Sequence, residues 1–316
     1  MIEVSIIIVN LNGKDYLINC LMSIFQNQGK VAQEIIIVDN GSQDGSVDEL
    51  KKSFPSVFLI ENKINTGFSK GVNQGIKVAS GEYLLLLNPD TQLREESIEN
   101  LLFFMNKNPD VGLAGAQLLN EDGSKQNSIA NFPSLVTELF NKSLLRWLFP
   151  KYFPGKEQEY TEPIEVDSVI GACMMVRRKA IEEVGLLDED YFLFFEETDW
   201  CYRMKKAGWK VYHVPQAQVF HFQGKSVEKE KERAKVEYYR SRYLFFKKHR
   251  GNYQFLLLVL GLVVKLLIEF SFIGITNLFT LFKFQKLRKR FKLYTYLLWW
   301  HLKGCPEGMG LKMDSD

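Results

Sequence analysis

The chain has 316 residues, 46% hydrophobic and 25% charged, with a formal net charge of +2. That mix excludes a disordered or low-complexity protein, and so small a net charge gives no reason to expect a nucleic-acid partner. Cys20, Cys173, Cys201 and Cys305 stand far apart with no C-x-x-C pairing, which argues against a zinc site or disulfide framework and fits a reducing compartment.

The first hundred residues alternate strand and helix. Residues 4–10 (VSIIIVN) have no basic segment ahead of them, so they read as a core strand rather than a signal peptide, with the first domain in the cytoplasm. Residues 16–27 carry Leu17, Cys20, Leu21 and Ile24 at helical spacing. A second buried strand over 34–39 ends in the turn Asn40-Gly41-Ser42, and 46–53 is a short helix. A third strand over 57–61, a helix over 69–79 closed by Gly81, and a fourth strand over 83–88 follow. This alternation predicts a parallel sheet with right-handed crossovers.

Residues 98–106 continue as a helix and 112–119 as a strand. The stretch 120–163 is irregular, with prolines and aromatics and one short amphipathic helix near 135–147. Loops of that length serve as functional lids or as variable surface insertions. Order returns with a strand pair or bulged strand over 166–177 and a short helix over 179–184 ending at Gly185. A helix from Glu196 through Ala207 stops at Gly208, and strands are expected over 209–214 and 217–222.

Several residues could carry chemistry. The unbroken run Tyr83-Leu84-Leu85-Leu86-Leu87 reads as a strand buried on both faces, and it stops at Asn88-Pro89-Asp90. Ligands of open α/β sheets bind beyond the carboxyl ends of the strands, so Asp90 and Asp39 stand where such folds place their sites; both also suit plain turns. Asp90 is a hard oxygen ligand and Asn88 a neutral one, sufficient for a cation that completes its shell with substrate phosphates. Asn65-Thr66-Gly67-Phe68, continuing to Asn73 and Gly75, opens a helix whose N-terminus suits a diphosphate, or is simply capped. Glu196, Glu197 and Asp199 fall within one helical turn beside Phe194, Phe195 and Trp200. Acids cap helix N-termini, but packing like charges against aromatic rings also raises a carboxyl towards the range of a general base. His221 ends an apolar strand and is either structural or a metal ligand; His213, His249 and His301 have no comparable setting.

Together, Val4 to Asn10, Val38-Asp39-Asn40-Gly41-Ser42, Asn65-Thr66-Gly67-Phe68, Asn88-Pro89-Asp90, Phe195-Glu196-Glu197-Thr198-Asp199 and His221 with Gly224 and Ser226 resemble glycosyltransferase family 2, in particular its rhamnosyltransferase-like branch. The resemblance runs over roughly residues 3–226 and implies a GT-A fold and an inverting, metal-dependent transfer from a nucleotide sugar. It implies that Asp39 contacts the nucleobase and that Asn10, Asn65, Gly67, Phe68, Asn73 and Asn88 line the donor site with Asp90. Asp90, in an Asn-Pro-Asp that stands for the usual D-x-D, holds Mg²⁺ or Mn²⁺, and His221 completes the shell. Glu197 is the base, with Glu196 as its rival, and Asp199 shapes the acceptor site.

From Lys225 the character changes. Residues 227–249 are a charged helical stretch, and 255–282 are apolar and longer than the roughly 20 residues that span a bilayer. The basic run 283–292 follows, then Trp299 and Trp300. A single crossing would carry that run outside, against the positive-inside tendency. The expected arrangement is therefore two domains, a catalytic one over 1–226 and a helical one over 227–316. The second lies in the cytoplasmic leaflet, with the basic run on anionic headgroups, both tryptophans at the interface and Lys265 paired with Glu269. A transmembrane helix and a buried core helix are the alternatives. A membrane setting favours a glycan or lipid-linked saccharide acceptor. A nucleotidyltransferase and a non-catalytic membrane-anchored scaffold are the competing functional readings.

Overall fold

The computed structural model describes residues 2–27, 29, 31–148, 160–222 and 230–312. The described residues fall into two compact units, one of Met1–Phe132, Lys156–Phe192 and Glu196–Glu228, the other of Pro133–Gly155, Leu193–Phe195 and Lys229–Asp316. Gly224 and Ser226 and the start of the charged helical stretch lie outside the described residues.

The first unit opens with β1 (Val4–Asn10), α1 (Lys14–Gln26), β2 (Gln33–Asp39), α2 (Ser46–Ser53), β3 (Phe58–Glu61), α3 (Phe68–Val78) and β4 (Tyr83–Leu87). It continues through β5 (Thr91–Leu93), α4 (Ser97–Lys107), β6 (Val111–Leu119) and β7 (Ile129–Ala130). The next two helices, α5 (Leu135–Leu139) and α6 (Lys142–Leu148), belong to the second unit. The first then resumes with β8 (Ile164–Glu165), β9 (Ser168–Val169), β10 (Cys173–Arg177), α7 (Arg178–Val184), α8 (Glu196–Lys206) and β11 (Lys210–His221).

The main sheet has the order β3-β2-β1-β4-β10-β6-β11-β5, with β8 also on β11. β1 is parallel to β2 and β4, and β6 to β11, while β10 runs antiparallel between β4 and β6. The expected mostly parallel α/β sheet is thus present, with an antiparallel strand inside it. Every residue of β1 and β4 is buried, because helices cover both faces. Ile6 and Ile8 pack with Leu17 and Leu21 of α1 and Leu101 of α4; Ile7 and Val9 pack with Val72 and Ile76 of α3 and Trp200 of α8. Alternation along a strand sends neighbouring side chains to opposite layers.

Three expectations change. The two strands expected over 209–222 are one strand, β11, whose register shifts between Val214 and Gln218. Pro215 in that interval has no N–H to donate, which suits a bulge rather than a break. The three-residue β5, antiparallel to β11, was too short to read. The amphipathic helix expected near 135–147 is two helices and groups with the second unit. There Glu138 pairs with Arg242 at 3.2 Å, both side chains buried, and Leu139 lies over Gly261, where a Cβ would come within 2.6 Å of Leu139 Cδ2.

The second unit is built on α9 (Lys231–His249), α10 (Gly251–Phe279) and α11 (Gln285–Leu302). Gly251, at φ +78, turns the chain from α9 into α10. α11 returns along α10, stacking Phe291 on Phe270 at 4.9 Å, and α9 flanks both, with Tyr243 against Phe255 and Trp300. The basic run and the tryptophan segment are therefore one helix and the turn before it. Trp300, expected at a membrane interface, is fully buried, whereas Trp299 is 52% exposed. Glu269 takes a hydrogen bond from Tyr294 of α11.

The approach of α3 to β1 is set by glycine. A Cβ on Gly75 would stand 2.6 Å from Ile7 Cγ2, and one on Gly71 2.9 Å from Val9 Cγ1. Gly75→Val should therefore destabilise the protein by about 1–3 kcal/mol through overpacking, measured as a lower denaturation midpoint; an unchanged midpoint would show that α3 can move off β1.

Candidate functional site

The carboxyl ends of β1 and β2 meet at Asn10 and Asp39, which are register partners. Asn10 Nδ2 donates to Asp39 Oδ2 at 3.0 Å and to Ser42 Oγ at 3.1 Å. Asp39 Oδ1 accepts from the N–H groups of Gly41 and Ser42 at 3.1 and 2.8 Å. The carboxylate thus organises its own turn. Asn40, visible in the sequence only as part of a turn and a motif, ties this turn to the next loop. Its Nδ2 donates to Gly67 O at 3.0 Å, and its Oδ1 accepts from Thr66 Oγ1 at 3.0 Å.

The start of α3 is less open to an anion than the sequence suggests. Gly67 takes φ +88, and a Cβ there would meet Phe192 Cδ2 at 2.8 Å. The Phe68 N–H already donates to Phe192 O at 2.8 Å, and Ser69 Oγ to Tyr191 O at 2.6 Å. Asn65 Oδ1 accepts from the Gly67 N–H at 3.0 Å. Asn73, expected at the donor, is 1% exposed. Its amide clamps the loop before α8, donating to Leu187 O at 2.8 Å and Glu189 Oε1 at 3.0 Å and accepting from the Leu187 N–H at 3.1 Å. Asn73 thus seats the segment that leads into α8.

Asn88, Pro89 and Asp90 make the turn from β4 to β5. The Asn88 N–H donates to Ala172 O at 2.9 Å, and Asn88 O accepts from Thr91 Oγ1 at 2.7 Å. His221 closes β11 opposite Thr91, which brings its Nε2 to 3.6 Å from Asp90 Oδ1, both side chains buried. Burial pushes the Asp90 carboxyl above its usual range and the His221 imidazole below its own, while each group draws the other back. Among the described residues no three His, Cys, Asp or Glu side chains cluster as metal ligands. The Asp90–His221 pair fits an ion that takes its other ligands from a diphosphate and water.

The third part is the first turn of α8, entered through Phe194 and Phe195, both at φ +68. Two consecutive non-glycine residues in that region cost of order 1–3 kcal/mol each. Glu197 packs over Gly171, where a Cβ would lie 3.4 Å from Glu197 Cβ. Gly171 adjoins Ala172, the residue that anchors Asn88. Glu197 Oε2 is shielded from solvent without a hydrogen-bond partner among the described residues. Burial pushes this carboxyl up to about 6, against the N–H groups of Glu197 and Thr198 and the Thr198 hydroxyl, which lower it. Glu196 is also buried.

Asp199, expected at the acceptor, is 1% exposed and pairs with Arg203 Nε at 2.7 Å. The same guanidinium donates to Val184 O and Leu186 O at 3.1 and 2.9 Å, and the Tyr191 hydroxyl lies near Asp199. Asp199 therefore holds the 184–191 loop on α8. Sequence reasoning also missed Gly171 and Gln126; the latter lies in the irregular stretch, where nothing marked it.

The family pattern described as Glycosyl transferase family 2 matches residues 5–185. The N-acetylglucosaminyl-diphospho-decaprenol L-rhamnosyltransferase of Mycobacterium tuberculosis (strain ATCC 25618 / H37Rv) is 31% identical over 233 residues, 69% of this chain and 76% of that protein. The dTDP-rhamnosyl transferase RfbF of Shigella flexneri is 27% identical over 226 residues, 70% of each chain. Among solved structures, GalNAc-T7 with UDP, GalNAc and Mn²⁺ superposes with a TM-score of 0.56 at 19% identity, over 76% of this chain and 47% of that one. This chain thus spans about half of that protein, and the likeness is one of fold.

A carboxyl whose folded pKa lies above its unfolded one loses stability as pH rises between the two. From 4.5 to about 6 for Glu197, the cost grows to about 2 kcal/mol and is complete above pH 6. Glu197→Gln should therefore raise the denaturation midpoint at pH 7 to 8 and lose that advantage below about pH 4.5. A variant no more stable than the parent at pH 8 would show that Glu197 is not strained by burial.

Proposed function

From the premise that the chain belongs to glycosyl transferase family 2, and so is a glycosyltransferase, we propose that it transfers L-rhamnose from dTDP-rhamnose to a hydroxyl of a lipid-linked saccharide, with inversion. A hexose from a UDP-sugar is the alternative donor. The names of the rhamnosyltransferase relatives support the first choice, and a decaprenol-linked acceptor in one of them supports the second half of the reading.

The observation that carries the proposal is the Glu197 carboxyl. It is pushed up to about 6, has an unpartnered buried oxygen, and packs on the Gly171–Ala172 turn that holds Asn88. Glu197 is the base, in preference to Glu196. It removes the proton of the acceptor hydroxyl as that oxygen attacks the anomeric carbon, and the nucleoside diphosphate departs on the opposite side. A base with a pKa near the working pH is both ionised and able to hold the proton it takes.

Asp39 and Asn10 receive the nucleobase at the ends of β1 and β2, and the Asn65, Gly67 and Phe68 loop together with Asn88 lines the donor. Asn73 and Asp199 act by positioning the loop between them. Asp90 and His221 would hold the divalent cation, which when bound supplies charge neutralisation for the departing diphosphate. A nitrogen donor in that pair favours Mn²⁺ over Mg²⁺, which takes oxygen ligands.

The helical unit lies in the plane of a membrane surface on the cytoplasmic side. α10 is long and apolar enough to cross a bilayer, but α9, charged along its length, packs against α10 and α11. A perpendicular α10 would draw those charges into the hydrocarbon, where each costs at least about 2.5–3.5 kcal/mol.

Two experiments test this reading. In a thermal-shift panel of nucleotide sugars, one donor should stabilise the protein with Mn²⁺ and lose its effect in EDTA and in Asp90→Ala. Glu197→Gln should keep that stabilisation while transfer falls by about 10²–10⁴-fold; full transfer would pass the base role to Glu196, and no response to any donor would remove the donor site. In flotation assays the protein should accompany vesicles containing anionic lipid, release in high salt and leave membranes at alkaline pH. Retention after alkaline extraction would mean that α10 spans the bilayer.

A further inference from the structure

His221 is gripped at two points by Gln126, 95 residues earlier in the chain. The Gln126 side-chain Nε2 donates to His221 O at 2.6 Å, and its Oε1 lies 3.1 Å from His221 Nδ1. A backbone carbonyl only accepts, so the NH₂ end of the amide must face it. Oε1 therefore faces the ring, and an amide oxygen only accepts, so Nδ1 carries the hydrogen. The neutral ring then has its lone pair on Nε2, the nitrogen 3.6 Å from Asp90 Oδ1.

Gln126 is itself held firmly. Its N–H donates to Leu118 O at 2.8 Å, and its carbonyl accepts from Gln117 Nε2 at 3.0 Å and Ser128 Oγ at 3.1 Å. Across the neutral ring, that lone pair and an Asp90 carboxylate oxygen face each other in a buried setting. A divalent cation between them would satisfy both. Ligands about 2.0–2.2 Å from one ion at angles near 90–115° stand about 3.0–3.6 Å apart, which matches their separation.

We propose that Gln126 is a positioning residue that locks neutral His221 with its proton on Nδ1, so that Nε2 and Asp90 form a two-atom seat for a divalent cation carried with the donor diphosphate. This rests on the metal-dependent donor site proposed above. Groups that orient a metal-binding histidine through its second nitrogen are commonly worth 10–100-fold in metal affinity.

The test measures Mn²⁺ affinity of the full chain with UDP or dTDP present, by electron paramagnetic resonance of free Mn²⁺ against protein-free nucleotide. Gln126→Leu should weaken binding by about 10–100-fold. Gln126→Glu, which still offers Nδ1–H an acceptor, should restore most of it. The ring ¹⁵N shifts of His221, assigned with His221→Asn at alkaline pH, should show a protonated Nδ1 and a bare Nε2 in the parent, and a mixture in Gln126→Leu. The parent's shifts decide the tautomer even where a Gln126 variant does not fold. A parent ring protonated on Nε2 overturns the proposal. So does Gln126→Leu binding Mn²⁺ as tightly as the parent while Asp90→Ala does not, an outcome that leaves the metal site standing. A parent that binds no Mn²⁺ removes the site and the proposal together.

Discussion

One backbone hydrogen bond, from the Asn88 N–H to Ala172 O, joins the halves of the site, and it exists because β10 runs against its neighbours. An all-parallel sheet would bring the start of each strand to the edge away from the ligand. β10 is antiparallel to β4, with its first residue Cys173 opposite Leu87, the last of β4. The turn before β10 therefore arrives where β4 ends. Gly171 and Ala172 sit in that turn, one under Glu197 and the other holding Asn88. An acid far along the chain is thereby brought to the same edge as Asp90.

The groups gathered at that edge are costly to keep there. Burial opposes the charged forms of Asp90, His221 and Glu197 alike, and the entry to α8 adds backbone strain at Phe194 and Phe195. Such costs persist only where the surroundings over-determine the geometry. Here the surroundings are the Asp199–Arg203 pair, the Asn73 clamp and the Asn40 bridge. Those residues are saturated with partners, whereas Glu197 keeps an oxygen without one among the described residues.

That distinction explains what could be read from the sequence. β1 and β4 were legible because burial on both faces leaves an unbroken apolar run, and Asp39 and Asp90 because they end such runs. The loop-holding contacts of Asn73 and Asp199 could not be read, since their partners Leu187 and Arg203 show only when the chain is folded. Gly75 lies in the helix start that suits a diphosphate or is simply capped, and the structure shows it and Gly71 in contact with β1. Gln126 left no trace at all. A lone polar residue in an irregular stretch becomes meaningful only through what it faces. The gap between the strands expected over 209–214 and 217–222 is a bulge of β11 at Pro215, which spares the strand the missing N–H.

The helical unit shows the same limit and resolves it by packing. Apolarity marked α10 as a membrane element but could not say which side faces lipid. Leu256, Leu260, Val264, Leu267 and Phe272 are exposed, while Leu258, Leu262 and Leu266 are buried, so the helix divides lengthwise between an exposed apolar face and a packed one. A spanning helix would need apolar surface over its whole circumference, or partners as apolar as itself. The partners here are α9, rich in lysine, arginine and glutamate, and α11, whose first half carries Lys286, Arg288, Lys289 and Arg290 on its exposed surface. On the proposed membrane reading, an apolar face that inserts shallowly and a cluster of cations, each worth about 1 kcal/mol near anionic lipid, would act together where one alone is marginal. Trp300 is committed to Tyr243, which leaves Trp299 as the exposed tryptophan of α11.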